Sequence, residues 1–154
     1  MSVEKTCLLH DAATAARFKP REFRRQVNNG FFELQGCDRA PSGSGDHAGY
    51  SRRRILQAAT TKWLTDLGVS ISKASTAAFK FSDEGQTGRA PGELFQHGKT
   101  ILVMAPEPEG AHVKNFFFDA SLSDISERRV SVILVDLNKV VDQVDSVLNS
   151  QKVS

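Results

Sequence analysis

"FKPREFRRQVNNGFF", residues 18–32, is the stretch that decides how the amino-terminal half folds. Proline suits the first position of a helix, and Asn-Asn-Gly is a typical helix end, so a short helix is predicted over 20–29. On a helical wheel its basic side chains fall within an arc of about 100°, whereas Phe23 and Val27 face the other way and can anchor the helix on a core. The polar arc consists of Arg21, Arg24, Arg25 and Asn28.

The neighbouring segments predict a compact set of elements around this helix. "DAATAARF", 11–18, predicts a preceding helix with Asp11 as its N-cap. The segment 31–50 has short apolar ends around a tip rich in Gly, Ser and Pro, which is typical of a β-hairpin with a mobile loop. A long helix then begins at Ser51 and ends at Gly68, and a further helix follows over 70–81.

A helix that presents arginine and asparagine fits the major groove of DNA. Arginine can donate two hydrogen bonds to guanine, asparagine can pair with adenine, and other cations can neutralise phosphates. The alternative is a solvated helix face, since charged clusters are common on protein surfaces.

A second basic cluster, Arg52-Arg53-Arg54, lies at the start of the long helix, where the helix dipole disfavours cations by about 0.3–1 kcal/mol each. Contact with a phosphate is one explanation for arginines at this position. Arg39 and His47, in the predicted hairpin, lie between the two clusters. The alternative is that the arginines pair with Glu22, Asp38 or Asp46 of the same chain.

The order of these elements resembles the winged-helix DNA-binding domain of MerR-type regulators. "AATAARFKPREFRRQVNNGFF" is similar to the family's helix-turn-helix and the start of its wing, and "GYSRRRILQAATTKWLTDLGVSISKASTAA" to its third and fourth helices, over about residues 6–81. The resemblance implies a second helix in the major groove, a wing on the DNA backbone and a third helix that contacts phosphate. The predicted DNA contacts are Lys19, Arg21, Arg24, Arg25, Asn28, Arg39, Tyr50, Arg52, Arg53 and Arg54. Excisionases and some phage regulators use a related winged helix, so recombination is an alternative role.

The carboxyl-terminal half has a different composition. "TILVMA", "HVKNFFFD" and "RVSVILVD" predict strands, and "LNKVVDQVDSVLN" predicts a terminal helix. Because one helix can cover only one face of the strands, we expect a second protomer to cover the other face, or the Leu137/Val144/Leu148 stripe of the terminal helix, which gives a homodimer on a two-fold DNA site. The predicted dimer contacts are Phe117, Ile133, Leu137, Val141, Val144 and Leu148. No residue pattern favours a small-molecule effector pocket over dimerisation.

Composition and motifs exclude several other classes. Residues 1–89 carry 14 Lys and Arg against 9 Asp and Glu, and residues 90–154 carry 6 against 9. No apolar run predicts a membrane span or a signal peptide, so a cytoplasmic, nucleoid-associated protein is expected. Cys7 with His10 and Cys37 with His47 do not make a four-ligand zinc site, so no metal or other cofactor is predicted. No catalytic motif or acid–base pair indicates an enzyme.

Together these observations predict an α+β protein in three parts: a winged helix-turn-helix domain over 1–82, a linker over 83–98 and a dimerisation domain over 99–150. The expected function is sequence-specific regulation of transcription by a homodimer bound to double-stranded DNA. An adaptor that binds an acidic protein partner through the same basic surface is the alternative from another class.

Overall fold

The computed structural model describes residues 4–117 and 131–152, and within these ranges the fold is α+β, as predicted. The helices in these ranges are α1 (Leu9–Ala15), α2 (Pro20–Asn28), α3 (Arg52–Asp66), α4 (Ile71–Ser82) and α5 (Leu137–Gln151). The strands are β1 (Thr6–Cys7), β2 (Tyr50–Ser51), β3 (Lys99–Met104), β4 (Ala111–Phe116) and β5 (Ile133–Asp136).

A tight turn over 16–19 joins α1 to α2. The residue after the C-cap of α1 is Arg17, whose φ of 65° lies in the left-handed region. The N–H groups of Arg17 and Phe18 donate to the carbonyls of Thr14 and Ala13, at 3.1 and 2.9 Å. This is the Schellman arrangement, which ends a helix and turns the chain sharply.

The predicted limits of α2 are confirmed, but those of α1 are not. α2 begins at Pro20 and ends before Gly30, whose φ is 84°. α1 begins at Leu9, two residues before Asp11, so the prediction that Asp11 caps this helix is wrong. Asp11 instead lies in the first turn, where a carboxylate interacts favourably with the helix dipole.

The segment between α2 and α3 contains much less β-structure than the sequence predicts. Its extended part consists of one antiparallel bridge, in which the N–H groups of Arg39 and Gly49 donate to each other's carbonyls at 2.8 and 2.7 Å. We call residues 40–48, which this bridge closes, the bridged loop. β2 pairs instead with β1, near the start of the chain, an interaction that the sequence did not predict.

α3 and α4 pack against each other, and their limits agree with the sequence prediction. The Ser51 side chain caps α3 by accepting a hydrogen bond from the N–H of Arg54 at 3.3 Å, and Gly68, with a φ of 90°, follows its end. The Ser70 side chain caps α4 in the same way. The C-terminal carbonyls of α4 accept hydrogen bonds from Arg89, a buried residue of the predicted linker.

The second sheet has the order β4-β3-β5, and all of its strands are antiparallel. Leu102 pairs with Val113 on one side and Val135 on the other, so these three side chains share the face that joins the core. α5 follows β5 directly, with Asp136 as its N-cap, and packs against β3, α1 and α3. The predicted strand residues 118, 119, 129 and 130 lie outside the described residues.

One continuous core joins the two predicted domains. Phe23 and Ile55 of the amino-terminal half belong to the same apolar cluster as Leu102 and Val144 of the carboxyl-terminal half. The segment 83–98 therefore does not separate two independent cores.

The core also contains much of the predicted dimer surface. Leu137, Val141 and Val144 are buried within their own protomer, and Ile133 and Leu148 are half-buried against the same cluster. Assignment of Leu137, Val141 and Val144 to a dimer interface is wrong, because α5 directs them onto α1, α3 and β3. Phe117 differs, with 57% of its surface exposed.

Within residues 4–117 and 131–152, no helix has the length and apolar character needed to cross a lipid bilayer.

Candidate nucleic-acid interface

An aromatic cluster fixes α2 on the body of the protein. Phe23, the buried residue of this helix, lies 6.0 Å from Phe18, 5.5 Å from Phe32 and 5.3 Å from Tyr50, measured between ring centroids. Edge-to-face and stacked contacts of this kind contribute about 0.5–1.5 kcal/mol beyond the burial of area. The contacts set the rotation of α2 about its axis, and thereby the direction that its polar arc faces.

The polar arc of α2 faces solvent and has no acidic partner in the described part of the chain. We call this surface the α2 arc; it consists of Arg21, Arg24, Arg25 and Asn28, all of them exposed, and the exposed Lys19 precedes it as the N-cap of the helix. Glu22, in the same helix, is directed elsewhere and lies 4.0 Å from Lys62. The structure therefore brings the predicted groove-reading residues together on one surface whose positive charge is not neutralised.

The bridged loop carries its own ion pair. The Arg39 guanidinium donates to both carboxylate oxygens of Asp46, at 3.1 and 2.9 Å. Asp46 also accepts from the N–H and hydroxyl of Ser42 and from the N–H of His47. The bonds from Ser42, followed by those from Arg39 and His47, hold the pKa of Asp46 far below its usual range. Arg39 is exposed, but its charge is paired with that of Asp46 in the loop.

Arg52 and Arg53, the first two arginines of the second cluster, lie partly at the surface and pair with carboxylates. Arg52 makes two hydrogen bonds to Asp145 of α5, at 2.7 and 3.0 Å, and lies 3.5 Å from Glu93. The bonds to Asp145 raise the Arg52 pKa. Arg53 lies 3.4 Å from Glu4. Arg52 therefore links the start of α3 to α5.

Arg54 is completely buried, and the prediction that it contacts DNA is wrong. Its guanidinium donates to Asp38 at 3.2 Å and to Asp83 at 2.8 and 3.0 Å. It also donates to Gln57, which in turn donates to the carbonyl of Ser75. Through these bonds Arg54 links α3 to Asp38, in the segment after α2, and to Asp83, at the end of α4. Its side chain has no exposed surface, so it cannot contact a phosphate. A buried cation of this kind requires carboxylate partners within the protein.

Tyr50 is also inaccessible, so its predicted contact with DNA is wrong. Only 3% of its surface is exposed, because the ring packs against Phe23 and the residue belongs to β2. Burial, together with the negative charge of Asp38, raises the Tyr50 pKa, and the positive charge of Arg24 acts in the opposite direction.

The alternative of pairing within the chain therefore applies to the second cluster and to Arg39, but not to the α2 arc. Sequence reasoning missed Glu4, Asp83, Glu93 and Asp145 as arginine partners. One signal was available: cations in the first turn of a helix oppose the helix dipole, so nearby carboxylates were as good an explanation as an external phosphate. Asp145 is far away in sequence, however, and no local pattern identifies it.

No group of three or more His, Cys, Asp and Glu side chains in the described ranges is arranged to hold a metal ion. The chain matches no protein-family model, and the comparison with curated proteins found no significant relative.

Proposed function

We propose that this protein binds double-stranded DNA in a sequence-dependent way, with α2 in the major groove, and that it regulates transcription. Within this proposal, α1, the tight turn and α2 act as a helix-turn-helix, and the bridged loop acts as a reduced wing. The protein is expected to act as a homodimer in the cytoplasm, associated with the nucleoid.

The observation that carries the proposal is the contrast between the arginines of α2 and the others that the structure describes. Six arginines outside α2 have partners within the chain, whereas the three on α2 have no carboxylate partner among residues 4–117 and 131–152. This helix has guanidinium groups without carboxylate partners on one side and the buried Phe23 on the other. It therefore suits double-stranded DNA, whose backbone is negatively charged and whose major groove is wide enough for a helix. The six partnered arginines are Arg17, Arg39, Arg52, Arg53, Arg54 and Arg89.

The paired second cluster changes the expected contribution of each residue. Lys19 and Arg21, near the start of α2, are assigned to phosphates, and Arg24, Arg25 and Asn28 to base edges. Arg52 and Arg53 would have to leave Asp145 and Glu4 to contact a phosphate, so we assign them a minor share of the affinity. The dimer would use a surface other than the Leu137/Val144/Leu148 stripe of α5, since only Phe117 of the six predicted dimer contacts is exposed.

The test is duplex binding after selection of bound fragments from random DNA. We expect one preferred sequence with two-fold symmetry, bound by two protomers. Arg24→Ala or Arg25→Ala should weaken binding to it by about 1–3 kcal/mol and relax the base preference at one position of each half-site. Arg21→Ala should weaken binding to all sequences and reduce the log–log salt slope by about 0.9 for each lost phosphate contact.

Lys73→Ala is the matched control, because Lys73 is an exposed cation on α4 with no ion pair in the described part of the chain. It should bind the selected duplex as the unmodified protein does. Equal binding by the Arg24, Arg25 and Lys73 variants, or no duplex binding at low salt, would contradict the proposal.

A further inference from the structure

A cavity of about 640 Å³ lies between the amino-terminal strand β1, the start of α3 and the end of α5. It is large enough for a small organic molecule, since ligand pockets usually measure about 300–1,000 Å³. The α2 arc does not contribute to its lining, whereas Arg39 and Arg52, whose charges are paired with Asp46 and Asp145, do.

Part of the cavity wall is apolar. Ile55 and Tyr50 form buried wall, and Leu148 is half-buried beside them. Leu8, which precedes α1, also lines the cavity and keeps 51% of its surface exposed. The apolar part of a ligand that packs on these side chains would bury the exposed surface of Leu8.

The charges around this apolar wall are unevenly paired. Among the lining carboxylates, Asp145 is held by Arg52 and Glu4 by Arg53, while Asp11 has His10 at 3.8 Å. Lys5 and Lys152 also line the cavity, and neither forms an ion pair with a residue in the described ranges; the Lys152 ammonium donates one hydrogen bond to the neutral Asn149 side chain at 3.3 Å. The lining charges that no arginine or carboxylate neutralises are therefore those of the two lysines and of Asp11.

Cys7, in the same wall, does not alter this balance. Burial, and to a smaller extent the negative charge of Asp11, raises the pKa of the Cys7 thiol to about 11. The thiol is therefore neutral at pH 7 and adds no negative charge to the cavity.

We propose that this cavity binds a small organic anion with a hydrocarbon body, which rests on Leu8, Ile55 and Leu148 while its anionic group interacts with Lys5 and Lys152. Ammonium groups without a carboxylate partner beside an apolar wall favour a ligand that has both an anionic group and a hydrocarbon part. The site does not depend on binding of DNA, and its test contains none.

The probe is 8-anilinonaphthalene-1-sulfonate, an aromatic anion that fluoresces when it leaves water, and N-phenyl-1-naphthylamine is its uncharged counterpart. We expect saturable binding of the anion by the full chain, with one probe per protomer. The variant Lys5→Glu/Lys152→Glu should weaken binding of the anion by about tenfold and leave binding of the uncharged probe unchanged. Lys139→Glu is the matched control, on α5 but outside the cavity lining, about 13 Å from Leu148 along the helix.

Cys7 reports whether the probe occupies this cavity. In the variant Cys37→Ser, with Cys7 as the remaining thiol, saturating anion should slow alkylation by iodoacetamide severalfold at pH 9. In Cys7→Ser, which retains Cys37, the same probe should leave the alkylation rate unchanged. Absence of saturable binding, equal loss in the Lys5/Lys152 and Lys139 variants, or unprotected Cys7 would overturn the proposal.

Discussion

Arg53 and Arg54 are adjacent in the sequence and have opposite environments. The Arg53 side chain keeps 27% of its surface exposed beside Glu4, whereas that of Arg54 is fully covered between Asp38 and Asp83. The Asp38 side chain is itself buried and also accepts hydrogen bonds from the N–H groups of Gln35 and Ser51, both at 2.8 Å. Loss of the Arg54 guanidinium would leave two carboxylates without their cation in the interior.

We therefore expect Arg54→Ala to lower the free energy of unfolding by about 3–5 kcal/mol, because removal of one member of a buried ion pair leaves an uncompensated charge. Arg53→Ala is the neighbouring control, and it should lower that free energy by less than about 1 kcal/mol, as is usual for pairs open to solvent. Urea unfolding followed by Trp63 fluorescence measures both values. Similar losses in the two variants would show that the buried network does not stabilise the fold as the geometry indicates.

Sequence reasoning placed both arginines in the first turn of α3, which is correct, but it could not separate their roles. Successive residues of a helix point about 100° apart, so one of three consecutive side chains can face the interior while its neighbours face solvent. The partners of Arg54 lie 16 and 29 residues away, and Asp145 lies 93 residues from Arg52. The exposed character of α2 was predictable because its polar and apolar residues are already separated on the helical wheel.

Three consecutive helices, α1, α2 and α3, end with the same Schellman arrangement. After α2 and α3 the left-handed position is occupied by Gly30 and Gly68, and both helix ends were predicted from those glycines. After α1 the position is occupied by Arg17, which no turn propensity would select. Its guanidinium lies 3.9 Å from the centre of the Trp63 ring and 3.5 Å from Asp66, so contacts with α3 compensate for the backbone conformation.

The change Arg17→Gly should preserve the turn better than Arg17→Ala. Both variants lose the contacts with Trp63 and Asp66, but only alanine keeps a Cβ in the left-handed region, at a cost of about 1–2 kcal/mol. We expect the glycine variant to be the more stable of the two by about 1 kcal/mol in urea unfolding, since its greater freedom in the unfolded chain offsets part of the gain. Equal stability, or a more stable alanine variant, would argue against strain in this turn.

The accuracy of prediction for the other elements depends on whether local or long-range interactions form them. Helices with local caps and an apolar stripe were predicted to within one or two residues, as were β3 and the start of α5. The hairpin prediction over 31–50 overestimated the β-structure, because the aspartates after α2 bond to nearby N–H groups and to arginines instead of leaving an extended ladder. β1 was missed because a strand of two residues has no periodicity to detect.

Helix α5 connects the amino-terminal and carboxyl-terminal halves of the protein. It covers α1 and α3 with its apolar side, and its Asp145 holds Arg52 at the start of α3. The change in composition along the chain correctly marked where helices give way to strands, but composition does not show which faces meet. The Leu137/Val144/Leu148 stripe of α5 is apolar enough to predict a surface for a second protomer, but it is equally suited to the core of its own chain, where Leu137 and Val144 lie.

Because one core joins the two halves, a small cavity created in α5 should lower the stability of the amino-terminal half as well. Val144 has no exposed surface, and Val144→Ala should lower the free energy of unfolding by about 2 kcal/mol, through lost burial and the cavity that remains. Trp63 fluorescence, which reports on α3, and far-ultraviolet circular dichroism, which reports on the whole chain, should shift to the same lower urea midpoint in one transition. Ser146→Ala, at an exposed position of the same helix, should leave both midpoints within error. If the Trp63 midpoint stayed constant while the dichroism signal shifted, the two halves would unfold independently and the continuous core would not couple them.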